Sequence, residues 1–151
     1  MAQINEFDPE LLNKIKNGFR INSMRMKDGS TGKVMWECNS FDLNADNNQE
    51  TLPKELLECS EVVRELNFSS IELIENLELI QNFYLAGDLI ESSRFLFGFV
   101  IPNSTNNWEQ IIEAKDEMIP YDILSGNLKV ETTFLTNGHI ICRNLITIFY
   151  I

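Results

Sequence analysis

From Phe19 onward the chain alternates apolar and polar residues with period two, in runs broken by Gly, Asn and Asp, the pattern of half-buried β-strands. An earlier stretch, Glu6 to Asn17, has helical spacing and an acidic start and predicts one short N-terminal helix. The first strands are Phe19 to Met26 and Lys33 to Cys38, joined by a Lys27-to-Gly32 loop with the glycines and short polar residues of a hairpin. Val34, Trp36 and Cys38 share a face of the second. Asn44 to Glu50 is polar throughout and predicts a surface loop. Val62 to Phe68 places Val62, Arg64, Leu66 and Phe68 on one side, and Ser69-x-x-Glu72 behind it predicts a capped helical turn. Leu77 to Leu85 aligns Leu77, Leu79, Gln81, Phe83 and Leu85. Leu89 to Ile101 aligns Leu89, Glu91, Ser93, Phe95, Phe97, Phe99 and Ile101, and Pro102 with its Asn/Ser/Thr neighbours ends that run. Trp108 to Ala114 predicts a short helix in a long crossover. Leu128 to Leu135 and Ile140 to Ile151 predict a closing hairpin about Asn137-Gly138.

Seven or more strands with helices confined to connections predict an all-β fold, an antiparallel sandwich of two sheets. No repeat, low-complexity tract or linker divides it, so residues 1–151 form a single domain. Arg64, Gln81 and Glu91 interrupt otherwise apolar inner faces on three successive runs, and polar groups inside a fold need partners. Two accounts fit. The three satisfy one another in a filled core, or one strand is read in the wrong register. Alternatively the sheets splay into an apolar cavity and the three ring its mouth, holding the polar end of a lipid or peptide. Met24, Met26, Val62, Leu66, Val130, Phe134, Ile148 and Tyr150 recur on consistent faces and serve as plain core or cavity wall; Trp36 and Trp108 read as core and helix-docking anchors.

Composition narrows the class. Among 151 residues, 12 Lys and Arg face 23 Asp and Glu, a formal charge of -11 that repels phosphate backbones and anionic headgroups. Nucleic acid and stable membrane insertion are thereby excluded as expectations. Met1 to Glu10 has neither a basic nor an apolar leader region, and three scattered cysteines, Cys38, Cys59 and Cys142, with a single His support neither disulfides nor a zinc site. A reduced, cytoplasmic setting is expected. His139 beside the Asn-Gly turn reads as a solvated hairpin residue, and no GxSxG, Walker loop or GxGxxG occurs. No catalytic site, cofactor or metal is expected.

Two blocks carry a resemblance: Glu61-Val62-Val63-Arg64-Glu65-Leu66-Asn67-Phe68-Ser69-Ser70, and Phe97-Gly98-Phe99-Val100-Ile101-Pro102 continuing through Asn103-Ser104-Thr105-Asn106-Asn107-Trp108. Co-linear anchors are Gly18-Phe19 with Asn22 and Met24, Thr31-Gly32-Lys33 with Trp36, and Leu52-Pro53-Lys54 with Leu57 and Cys59. Gly126-Asn127 with Glu131-Thr132, and the Phe149-Tyr150 end, complete the set. Over nearly its whole length the chain resembles the prenyl-binding protein delta family, the delta subunits of rod cGMP phosphodiesterase, in the lipid-binding dissociation-inhibitor-like superfamily.

The resemblance implies an immunoglobulin-like sandwich with a hydrophobic lipid-binding cavity and no hydrolase activity. It implies a monomeric carrier that extracts farnesylated or geranylgeranylated proteins from membranes and shuttles them through the cytoplasm, with the cilium and vesicle surfaces as further places of action. Implied partners are Ras-, Rho- and Rab-type small GTPases, phosphodiesterase catalytic subunits, and a GTP-bound Arf-like GTPase that triggers release. Carriage of N-myristoylated proteins, or an interaction module that binds no lipid, are the alternatives. The pocket so implied comprises Met24, Met26, Trp36, Leu43, Leu56, Val62, Leu66, Phe83, Ser93, Phe95, Ile112, Met118, Leu124, Val130, Phe134, Ile148 and Tyr150, with Arg64, Gln81 and Glu91 as its polar positions. Ser93 departs from the family, which has a tryptophan there; Leu96 replaces an acidic residue, and the stretches from Leu43 to Pro53 and from Trp108 to Met118 are slightly short.

Overall fold

The computed structural model describes residues 8–39, 48–113 and 119–151. Asp8 caps the first helix, α1 (Pro9–Gly18), by accepting the Glu10 backbone N–H at 3.0 Å, and Pro9 occupies the first turn where no donor is needed. The predicted helix therefore begins at Pro9; Glu6 and Phe7 lie outside the described residues. Ile15 is the residue α1 buries.

Nine strands follow: β1 (Phe19–Asp28), β2 (Val34–Cys38), β3 (Asn48–Leu52), β4 (Glu61–Ser70), β5 (Ile74–Leu85), β6 (Asp88–Val100), β7 (Ser104–Glu113), β8 (Leu128–Thr136) and β9 (His139–Tyr150). They form two sheets, in the order β2-β1-β4-β7 and β3-β9-β8-β5-β6. The expected sandwich is present, with one parallel pair, β3 against β9, in otherwise antiparallel sheets. A 3₁₀ turn (Lys54–Glu58) and a short helix, α2 (Tyr121–Leu124), stand at one end, where the Lys54 ammonium lies 5.0 Å from the Tyr121 ring centroid.

Three sequence expectations are corrected. Trp108 to Glu113 is strand, not helix: β7 pairs with β4 throughout, Trp108 opposite Leu66, Gln110 opposite Arg64 and Ile112 opposite Val62. Its period-two signal was masked because polar Asn106 and Gln110 occupy inward positions. Ser69 and Ser70 continue β4, and Ser70 donates its hydroxyl to the Glu72 carbonyl at 2.7 Å instead of capping a helix. Asn48 to Glu50, read as loop, opens β3, where backbone pairing to β9 overrides a polar sequence; residues 44–47 lie outside the described residues.

The inner face of β6 is also shorter than its alternation suggested. Gly98 sits at φ +98 in a bulge opposite Leu77, so Phe97 and then Val100 point inward while Phe99 and Ile101 turn out, 58% and 64% exposed. A second register shift at Ile90 turns Leu89 outward. Glu91, Ser93, Phe95 and Phe97 remain as the inward run.

Candidate functional site

Strand register stacks the interior in rows. Proceeding away from α1, the first sheet offers Leu66 with Met24 and Trp108, then Arg64 with Met26 and Gln110, then Val62 with Ile112. The second offers Leu79 with Phe95 and Phe134, then Gln81 with Ser93 and Thr132, then Phe83 with Glu91 and Val130. Polar residues thus face one another in the same middle row of both sheets. Below the row lies an aromatic core: Phe97 meets Phe68 edge-on at 5.0 Å and Trp108 at 5.3 Å, and Phe19 meets Phe134 at 5.2 Å.

The middle row is bonded across the sandwich. Arg64 donates through Nε to Gln110 Oε1 at 2.6 Å and through Nη1 to Gln81 Oε1 at 2.6 Å; Gln81 passes the chain to the Thr132 hydroxyl at 3.1 Å. Phe95 lies beneath the guanidinium, 5.4 Å from ring centroid to Cζ. Arg64 is only 2% exposed, and burial pulls its pKa down to about 10, so it stays charged at neutral pH with amide oxygens as its hydrogen-bond acceptors. Arg64 Nη2, Gln110 Nε2 and Asn144 Oδ1 are buried without a hydrogen-bond partner. Two donors and one acceptor left so are expensive, on the order of 1–3 kcal/mol each, unless a ligand or water meets them.

Above the row the packing changes. The upper apolar group has six buried residues and ten half-buried ones, against twelve and four below, so solvent reaches into the upper half of the sandwich. Its buried members are Leu52, Leu56, Leu124, Leu128, Val130 and Ile148; Met26, Trp36, Val62, Phe83 and Tyr150 are among the half-buried. The Tyr150 phenol is pushed up to about 12 by burial. Leu56 and Leu124 enter from the 3₁₀ turn and α2, which roof this end, and Ser125 holds the Tyr150 backbone N–H at 2.9 Å.

A groove of about 350 Å³ opens at the side, where β6 and β7, the free edges of the two sheets, diverge from the turn that joins them. Gln81, Phe83, Glu91, Ser93, Arg94, Phe95, Ile111, Ile112 and Glu113 line it.

The structure therefore gathers Met26, Trp36, Leu56, Val62, Phe83, Leu124, Val130, Ile148 and Tyr150 about the upper space. Glu91, Ser93 and Ile112 stand on the side groove, and Arg64 and Gln81 in the polar row between the halves. Leu66 and Phe134 belong to the closed lower core, 0% and 2% exposed, with Met24 and Phe95 at its margin. Leu43 and Met118 lie outside the described residues. Gln110, Thr132 and Asn144 are polar members that the sequence reading missed; alternation through Trp108, Gln110 and Ile112 was the available signal for the first. Of the three intruders, Arg64 and Gln81 do bond each other, while Glu91 stands one row higher, opposite Phe83.

A two-sheet sandwich with a sealed aromatic half, a cross-bonded polar layer and a partly open apolar half is the architecture of a binding domain. The chain belongs to the GMP-PDE, delta subunit, family, which matches it over residues 13–150. That family is one of non-catalytic subunits. Among the described residues no group of three or more His, Cys, Asp or Glu side chains could hold a metal ion, and no helix is long and apolar enough to cross a membrane.

Proposed function

We propose that the protein is a carrier of prenylated proteins, farnesylated or geranylgeranylated small GTPases of the Ras class among them, and that the isoprenoid lies in the upper half of the sandwich against Met26, Trp36, Val62, Phe83, Val130 and Ile148. One observation carries this: buried donors without partners, on Arg64 and Gln110, border an apolar space that its own side chains do not close. An isoprenoid fills the space, and the carbonyls of the last cargo residues meet the donors. Glu91, on the rim, selects among residues just upstream of the lipidated cysteine. Removing a fifteen-carbon chain from water gains on the order of 10 kcal/mol at about 0.8 kcal/mol per methylene-sized group, and a bilayer offers much the same. Extraction therefore depends on the polar contacts and on shape.

Release at a destination needs a second ligand whose binding opposes the first. A GTP-bound Arf-like GTPase fills that role in this reading, and the cytoplasm is where both partners are met. Fluorescence polarisation with a farnesylated peptide tests the proposal: saturable binding, displaced by geranylgeranyl peptide better than by myristoyl peptide, and faster dissociation on adding the activated GTPase, are expected. Binding that does not saturate, or is displaced best by the myristoyl peptide, defeats it.

A further inference from the structure

Ser93 stands where the inner face of β6 changes character. Phe97 and Phe95, the two inward residues before it in space, close the interior: Phe97 against Phe68 and Trp108, Phe95 under the Arg64 guanidinium. At the next inward position a hydroxymethyl group replaces a ring, and the sandwich is open at its side there, between Ser93 on β6 and Ile112 on β7. The walls of this groove nearest the interior are apolar, Phe83, Phe95 and Ile112, and its charges, Glu91, Arg94 and Glu113, stand at the rim. Phe83 belongs to the upper apolar group as well, so the groove and the upper space share a wall. At about 350 Å³ the groove lies within the range of small-molecule pockets.

Resting on the carrier reading above, we infer that this groove is a side compartment of the lipid site, that it takes the terminal units of an isoprenoid longer than fifteen carbons, and that Ser93, by its size, keeps it open. The remainder of the lipid occupies the upper space, and the chain turns past Phe83 to reach the groove. A side chain that extended from position 93 toward Ile112 would fill the compartment without touching the roof formed by the 3₁₀ turn and α2.

The test measures affinities of short S-farnesyl and S-geranylgeranyl cysteine methyl ester peptides for the parent protein and for Ser93→Ala, Ser93→Leu and Ser93→Trp. The 20-carbon to 15-carbon affinity ratio should hold within about two-fold in Ser93→Ala, fall in Ser93→Leu, and fall at least ten-fold in Ser93→Trp. Ser93→Leu decides the matter if the tryptophan variant does not fold. A ratio unmoved by either large residue, including equal losses for both lipids as expected of a groove that holds the shared peptide, overturns the inference and leaves the carrier reading standing. A parent protein that binds neither lipid overturns both.

Discussion

Arg64→Met removes the buried guanidinium and keeps much of its length. In the ligand-free protein two effects then oppose each other. Burial has pulled the Arg64 pKa from 12.5 to about 10, and at about 1.4 kcal/mol per unit the charge is held in the interior at a cost of roughly 3 kcal/mol. Against that stand two bonds at 2.6 Å, to Gln110 and Gln81, each a hydrogen bond to a charged group and contributing about 1.5–3 kcal/mol. The terms offset, and the variant should unfold in urea within about 2 kcal/mol of the parent. With ligand the balance differs. The Nη2 donor, unpartnered in the empty protein, meets a cargo carbonyl, and losing that contact should weaken farnesyl peptide binding by about 1.5–3 kcal/mol, roughly 10- to 100-fold in Kd. Urea melts and fluorescence polarisation on one preparation read both quantities. A loss of more than about 4 kcal/mol in stability, with unchanged affinity in the protein that remains folded, would show that the polar layer is structural bracing and would refute the reasoning.

Leu66→Ala, in the sealed lower core, should lower unfolding free energy by about 3–5 kcal/mol, while Val62→Ala, in the half-open upper group, should lower it by less than about 1.5 kcal/mol yet weaken farnesyl peptide binding several-fold; denaturant titration beside binding separates the two halves. Gly98→Ala adds a methyl group that meets nothing within 4 Å but forces φ +98 on an L-residue, so a loss of about 1–2 kcal/mol from backbone strain alone is expected in a thermal melt. Glu65 takes hydrogen bonds from Lys27 and Arg25 on the outer face of the first sheet, and these hold its carboxyl below the usual range. Because the folded pKa lies below the unfolded one, the contribution is complete above about pH 4.3 and disappears as pH falls through the folded value. Glu65→Gln should flatten that part of the acid-unfolding curve.

Much of this fold can be read from period-two alternation, because a strand buried on one face must place its apolar residues at every second position. β4, β5 and the β8–β9 hairpin follow it closely, and it singled out Arg64 and Gln81 as inward polar residues before any partner was known. It failed where the inward residue is itself polar. Gln110 bonds Arg64, yet a glutamine between Trp108 and Ile112 breaks the pattern that would have revealed a strand. It failed also at bulges: Gly98 inserts a residue and flips Phe99 and Ile101 to solvent, and no count of apolar positions registers a change of phase. β3 is found by pairing, since Asn48, Gln49 and Glu50 have no strand preference and are held by the backbone of β9. The division of the interior into a sealed and a half-open part depends on which sides of two sheets meet, a property that no single strand records.

The central claim is that the space above Arg64 and Gln81 admits an isoprenoid. It is tested most directly by a farnesylated peptide carrying a photoreactive group on its terminal isoprene unit, crosslinked and mapped by mass spectrometry. The account predicts saturable labelling at Met26, Trp36, Val62, Phe83 or Ile148, abolished by excess unlabelled peptide. Labelling confined to outward residues such as Leu96 and Ile101, or labelling that never saturates, would contradict it.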